Sequence, residues 1–563
     1  MRSWLDAEPL ARGVVQRHDL AAHSRTLGDL PARPRDTQLL RDAGAHDLPG
    51  AAVTVDVRHH GARDLDVGCR GEGASDEQVV IDVVVVHVSE DGGDDVGFED
   101  VRHVITVRLP DVVVTDDGFP EVRFRLVSTD LPGVIFMHLV SSRRWRAAAA
   151  GAAALALVLT GCSAEDSFSY TPPEQVDAAL SDDTAAQLQA AVENAMVTTG
   201  ATGAIVGVWV PWSGTWVTGL GTQSVEDQTE ITTDMTFRIA DVTRMMTCDV
   251  LYGLVDDDVV ELDASVPEYV SGVAHLEDIT LLDLCNGTSG VGSSEAAVKG
   301  MWLNTPERVW PALELASFGL GLDPVAQGTT YRDSDAGYLL LGLALERASG
   351  KNASELIAEY VTRPLDLAGT SLPGSKAAAP GDIALSGNYL PAIEGGFECA
   401  APSDITVLSS STGFTDSGVV STIDDLGRYV QATSRQALRD EGAEPGRFSA
   451  PLPVSPKAES WYQATGGAYM VGPLVGQHGW TPGYATAAYS DPETGFTVAV
   501  VLNNSTAGGS PAAYLAWELA AIASKAPAAS GQTAPEFGLP FTAEQYHQAI
   551  TDRAICATPP AGE

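Results

Sequence analysis

The residues whose type and spacing could do chemistry begin with Asp241 and Arg244, in the stretch Phe237–Cys248, FRIADVTRMMTC. They stand three apart at the head of an apolar run that reads as a helix, and positions i and i+3 share a helix face. A negative charge there is also favoured by the helix dipole. The chemistry open to the pair is an ion pair. A guanidinium stays protonated and serves poorly as a base, and a carboxylate is a weak nucleophile whose acyl adduct would be an anhydride.

The elements that must position this pair lie on both sides of it. Thr184–Thr198 reads as an amphipathic helix, with Leu188, Ala191, Val192 and Met196 on one face. Two β-rich runs follow, Gly203–Val210 and Thr215–Gly221, across the turn Pro211-Trp212-Ser213-Gly214. From Met245 to about Ala379 the pattern is mostly helical, the helix begun at Asp241 ending at Asp256-Asp257-Asp258. Strands return at Gly466–Val471, Tyr484–Tyr489 and Phe496–Leu502, and Pro511–Ser524 reads as a closing helix.

Upstream, the first 136 residues contain no Lys, Asn or Tyr and show strand candidates only at Val79–Val88 and Val101–Leu109. From Met137 the chain runs MHLVSSRRWRAAAAGAAALALVLTGC, a basic stretch, an apolar run and then Leu159-Thr160-Gly161-Cys162. That is the layout of a secretory signal. The apolar run falls short of the roughly 20 residues a membrane span needs, and its ending resembles a bacterial lipobox with Cys162 as the lipidated residue. A signal works from an N-terminus, so translation from Met137 is expected, with 1–136 a non-native extension; an unusual domain or a disordered arm are the alternatives. The polar SAEDSFSYTPPEQ then suits a tether. The boundaries are 1–136 extension, 137–161 signal, 162–183 tether, 184–526 domain and 527–563 tail.

Six phrases in order carry a resemblance to the serine β-lactamase and DD-peptidase family. They are FRIADVTR, LDASV from Leu262, ITLLDLCNGTSG from Ile279, GTTYRDSDAGYLLLGLALERASG from Gly328, YVTRPLDLAGTSL from Tyr360 and GVVSTIDDLGRY from Gly418. The resemblance implies an α+β, β-lactamase/DD-peptidase-like fold, an antiparallel sheet flanked by helices plus a mostly helical subdomain, with the active-site cleft between them.

The family's nucleophilic Ser falls on Asp241 and its Lys base on Arg244. Its Tyr-x-Asn element falls on Asp333-Ser334-Asp335, aligned on Gly337-Tyr338; a register using Tyr331 would break that spacing. Its cationic strand residue falls on Gln477, two before Gly479. Alternation along a strand turns His478 away from the cleft unless a one-residue bulge brings it in as a substitute. The lysines are Lys299, Lys351, Lys376, Lys457 and Lys525, and none has Ser three places before it, so Ser-x-x-Lys is absent in any register. The expected function is therefore a cell-envelope protein whose domain no longer hydrolyses and binds peptidoglycan fragments or an envelope protein. The alternative is an active carboxypeptidase, β-lactamase or esterase with an unconventional site.

No resident metal or cofactor is implied. A cleft lined by Asp241, Asp333 and Asp335 against Arg244 is expected to take a cationic or amine-bearing wall fragment, or a metal ion. The net charge of −42 argues against nucleic acid as a partner. Export and anchoring through Cys162 place the protein on the outer face of the cytoplasmic membrane, where disulfides persist. Cys248 lies two turns into the central helix and Cys285 in a phrase that packs near it, which suits a Cys248–Cys285 bridge and leaves Cys399 with Cys556; buried free thiols are the other possibility.

Overall fold

The computed structural model describes residues 170–556 except 440, 441 and 444, together with the backbone of six strands in the first 162 residues. Those strands form three antiparallel ribbons: Thr54–His60 with Asp64–Arg70, Gln78–Val85 with His103–Pro110, and Arg123–Ser128 with Ile135–Val140. The second ribbon joins the two strand candidates read in that region. Residues 141–169, which hold the apolar run and Cys162, lie outside the described residues, as do 557–563.

The unit from Ser163 onward is built on one antiparallel sheet. Its strands are β1 (Gly203–Val210), β2 (Gly214–Gly221), β3 (Leu452–Pro453), β4 (Tyr462–Thr465), β5 (Ala468–Val471), β6 (Leu474–Thr481), β7 (Tyr484–Ser490) and β8 (Thr497–Leu502), in the spatial order β3-β4-β5-β6-β7-β8-β1-β2. The first hairpin thus pairs with the last strand, which closes the chain's two ends into one sheet. β7 and β8 are buried along their whole length, as expected of strands covered on both faces.

Two helices supply those covers. Helix α1 (Asp182–Thr199) starts at Ser181, whose hydroxyl accepts the Thr184 N–H, and ends at Gly200 in the left-handed region. It packs on α5 (Ser510–Ala523), which lies over β6, β7 and β8 on the face carrying His478 and Tyr489. The opposite face takes α4 (Ile423–Ser434), where Gly427 sits against the Trp209 indole of β1. The chain from Ala526 onward is a docked element: α6 (Ala543–Thr551) buries Tyr546 and Ile550 against α5 and α1. Its polar sequence hides this, since only two of its side chains face inward.

The helical subdomain centres on α2 (Val242–Asp256) and α3 (Asp335–Ser349). Every residue of α2 from Val242 to Tyr252 is buried, an all-round burial that belongs to a helix threaded through a core. Around α3 pack the helices Leu281–Asn286, Ala312–Leu320 and Ala353–Ile357. A disulfide joins Cys248 of α2 to Cys285, Cα atoms 5.6 Å apart, and another joins Cys399 to Cys556 at 5.9 Å. The second bridge fixes the end of the docked C-terminal segment to the loop after the Gly396–Phe397 strand.

One polar group inside α2 needs a partner to be there at all. Asp249 is buried and pairs with the guanidinium of Arg447, while Tyr429 donates to its other oxygen at 2.7 Å. Arg447 spends its remaining donors on the Met245 carbonyl at 2.7 Å and the Gly466 carbonyl at 2.8 Å. Burial raises the Asp249 carboxyl's pKa, against the pull of Arg447. Removing the arginine strands a carboxylate in the core, so Arg447→Ala is expected to cost about 3–5 kcal/mol. Urea unfolding followed by far-UV circular dichroism measures it; Asp249→Asn combined with Arg447→Met is expected to recover part of the loss.

Candidate functional site

The cleft between sheet and helical subdomain is organised by one side chain, Arg244. Its Nε meets Asp416 Oδ1 at 2.7 Å, its Nη2 meets Asp241 Oδ2 at 3.3 Å, and its Nη1 meets Asp333 Oδ1. Each nitrogen of the guanidinium therefore has its own carboxylate. The side chain keeps only 4% of its surface, and the Tyr338 ring packs 5.0 Å from its Cζ. The Asp241–Arg244 pair expected from i and i+3 spacing is present, and it is one edge of a larger cluster.

The backbone aims these groups. Ala240, buried immediately before α2, has φ +50, a left-handed conformation that costs a non-glycine residue strain. This bend sets Asp241 at the helix start and against β6. There the approach is so close that a Cβ on Gly479 would lie 2.1 Å from Asp241 Cγ, so position 479 has room only for glycine. Asp241 makes no capping bond to its own helix; its carboxylate turns to Arg244 instead.

Asp333 precedes α3, and Ser334 caps that helix by accepting the Gly337 N–H at 3.1 Å. Asp333 is the exposed member of the cluster, with 53% of its side-chain surface open. Asp335 is buried, its Oδ1 accepting the Ser294 N–H at 2.6 Å and its Oδ2 without a partner among the described residues. Tyr331 is engaged elsewhere: its hydroxyl lies 3.1 Å from that of Tyr469.

On β6 the expected alternation holds. The register with β7 runs unbroken from Val475↔Ser490 to Thr481↔Tyr484, so there is no bulge to bring His478 into the cleft. His478 faces α5, its Nδ1 2.6 Å from the Tyr489 hydroxyl and its ring stacked on Tyr469 at 4.7 Å. Burial pushes its pKa down to about 4, which keeps it neutral. Gln477 occupies the cleft-facing side but is spent internally: its Nε2 donates to the Gly467 carbonyl at 2.9 Å and its Oε1 accepts the His478 N–H at 2.8 Å.

Sequence reading missed Asp416, Glu295 and Trp480. Asp416 sits on the short helix Phe414–Ser417, which packs between α2 and α3. The available signal was a count of donors: a buried guanidinium has five N–H groups, more than one neighbouring carboxylate satisfies. Glu295, at the start of the helix Glu295–Asn304, lies beside the Trp480 indole, and its pKa is raised by burial and by Asp333. Lys299 of the same helix places its ammonium 4.3 Å from the centre of the Trp480 ring.

Asp241, Asp333 and Asp416 crowd around a single buried cation. Burial pushes Asp416 up to about 7, and burial raises Asp241 well above the usual carboxylate range even with Arg244 beside it. Burial opposes the charge of Arg244, but its three acids more than offset that and hold it protonated. What the arrangement does chemically is fix charge: among the described residues no hydroxyl is hydrogen-bonded to Asp241, Arg244 or Asp333.

The chain belongs to the Beta-lactamase family, whose sequence profile matches residues 188–521. Over 208 residues it is 29% identical to the D-alanyl-D-alanine-carboxypeptidase/endopeptidase AmpH of Escherichia coli (strain K12), a match spanning 35% of this chain and 49% of AmpH. The chain thus spans about half the length of the curated relatives it matches. Among solved structures, a D-stereospecific amidohydrolase from Streptomyces sp. superposes with a TM-score of 0.52 at 20% identity, covering 59% of this chain and 98% of that one. The octameric penicillin-binding protein homologue from Pyrococcus abyssi gives 0.50 at 21% identity, covering 60% and 76%. These likenesses show the fold, a β-lactamase/penicillin-binding-protein-like α+β architecture.

The raised carboxyl pKa values make stability depend on pH with a definite sign. A group protonated more readily when folded than when unfolded adds stability below its unfolded pKa and loses it as pH rises through its folded value. For Asp416 that window runs from the ordinary 3.8 to about 7, and Asp241 works in the same direction. The thermal midpoint of the domain is expected to be higher at about pH 5 than at about pH 8, and Asp416→Asn to narrow the difference. Differential scanning calorimetry across that range checks both.

Proposed function

We propose that this protein is a non-hydrolytic member of the Beta-lactamase family, exported and held by a lipid on Cys162 to the outer face of the cytoplasmic membrane. There its domain binds a component of the cell wall or an envelope protein. The observation that carries this reading is the saturation of Arg244 by Asp241, Asp333 and Asp416. Acyl transfer by a serine enzyme needs a hydroxyl and a base that can take its proton. At these positions the chain has a carboxylate and a cation that its neighbours hold protonated. The third position is closed as well, since both ends of the Gln477 amide are bonded within the strand region.

The scaffold around the pair supports retention for binding. The strained Ala240 and the close contact at Gly479 still aim residue 241 at the sheet. AmpH, by its name, acts on D-alanyl-D-alanine peptides, and peptides of that kind are the first ligand class to examine here. The lipobox-like ending at Cys162 and the two disulfides suit an oxidising compartment outside the cytoplasm.

Turnover assays test the proposal. The protein from Cys162 onward is expected to release no D-alanine from a D-alanyl-D-alanine peptide and to leave nitrocefin uncleaved. The combined variant Asp241→Ser, Arg244→Lys, Asp333→Tyr is expected to gain a measurable rate, since the fold around those positions is kept. Hydrolysis by the unmodified protein, abolished by heat denaturation, would overturn the reading.

A further inference from the structure

The chain after Ala526 is held at both ends and clasped in the middle. At its start the Trp212 indole donates to the Ala526 carbonyl at 3.3 Å, the Ala529 N–H donates to the Trp212 carbonyl at 2.9 Å, and Phe537 packs against Trp212 and Phe496. At its end the Ile555 N–H donates to the Thr198 carbonyl at 2.9 Å, and Cys556 is bonded to Cys399. Between these points α6 lies on α5. Of its nine residues Tyr546 and Ile550 are the buried ones, and elements with few buried apolar contacts open at the low-stability end of a fold. Tied at both ends, such a helix can lift and return to the same place.

The middle of that contact is ionic. Glu518 of α5 keeps 3% of its surface exposed, and its Oε1 lies 2.9 Å from Nδ1 of His547 on α6. Its Oε2 has no partner among the described residues. The other charge acting on it is Glu544, an acid on the same face of α6 that opposes its ionisation. Lys525, just past α5, acts on Glu544, Arg553 lies against the Tyr514 ring, and the phenols at the contact, Tyr514 and Tyr546, stack at 5.3 Å. Helix α1, packed on both helices, brings no charge to Glu518 among the described residues. The counter-charge of this buried carboxylate is therefore His547.

His547 keeps 48% of its side-chain surface open, so its proton exchanges directly with solvent. An imidazole changes charge between about pH 5 and 8. Protonated, it closes an ion pair on Glu518; neutral, it leaves a buried carboxylate with a hydrogen bond and no counter-charge. The acid acts in the same direction: burial raises its pKa, so docking gains at low pH and loses as the pH rises through the docked value.

We propose that the Glu518–His547 pair is a pH-sensitive clasp: α6 stays docked on α5 while the pair carries its proton, and lifts between its two fixed ends as the pH rises. Lifting would bare an aromatic face, since Tyr546 and the preceding Phe541 cover the Tyr514, Trp517 and Trp461 rings.

Hydrogen exchange of the protein, read by mass spectrometry at about pH 5 and about pH 8 and converted to protection factors, tests it. Each value is taken relative to β7, which removes any pH dependence shared by the whole domain. The relative protection of Ala543–Thr551 is expected to fall at least about threefold from the lower to the higher pH, and the fall is expected to vanish in Glu518→Gln and in His547→Gln. His547 is half exposed, so its variant keeps the test open if Glu518→Gln does not fold. Equal relative protection at the two pH values, or a fall that persists in folded His547→Gln, overturns the proposal.

Discussion

The structure of this site depends on one constraint, that each nitrogen of a buried guanidinium must have a partner. Arg244 meets it by taking one carboxylate for each nitrogen, from the N-cap residue of α2, from the segment before α3 and from the short helix Phe414–Ser417. Three parts of the chain are thereby tied at a single point. The second buried pair, Asp249 with Arg447, does the same for α2 and the segment before the sheet's β4–β6 edge. Replacing such pairs by apolar residues often costs a protein little, whereas removing one partner costs a great deal. The cluster thus acts as a lock: its parts can change together far more easily than singly.

That lock holds the shape of the cleft, with ion pairs at the positions considered for the nucleophile and base. Residue 241 is still presented by a strained bend, and Gly479 still leaves room for it. What differs is the charge. A hydroxyl and an amine can exchange a proton; Arg244 is instead held protonated by the acids around it. The His478 imidazole, neutral and stacked behind the sheet, contributes packing to the aromatic layer under α5 rather than charge to the cleft.

How much of this could be read in the sequence follows from distance along the chain. The Asp241–Arg244 pair is three residues apart and was legible from helix spacing alone. The face of His478 followed from strand alternation because the β6–β7 register has no irregularity. Asp416 was not legible: it lies 172 residues from Arg244, on a four-residue helix without a pattern of its own. Nor were the short strands β3 and β4, whose pairing is set by the neighbouring β5 rather than by their residues. The segment after Ala526 reads as a polar tail, yet α6 docks through Tyr546 and Ile550 and is fixed by Cys556. In each case the deciding contact was a long-range one, with a partner that local propensity does not encode.

The central proposal is that position 241 forms no covalent acyl adduct. Intact-mass spectrometry of the purified protein from Cys162 onward, after incubation with excess benzylpenicillin, tests this most directly. The mass is expected to remain that of the untreated protein. A stoichiometric gain of one penicilloyl group, lost on denaturation before exposure, would contradict it.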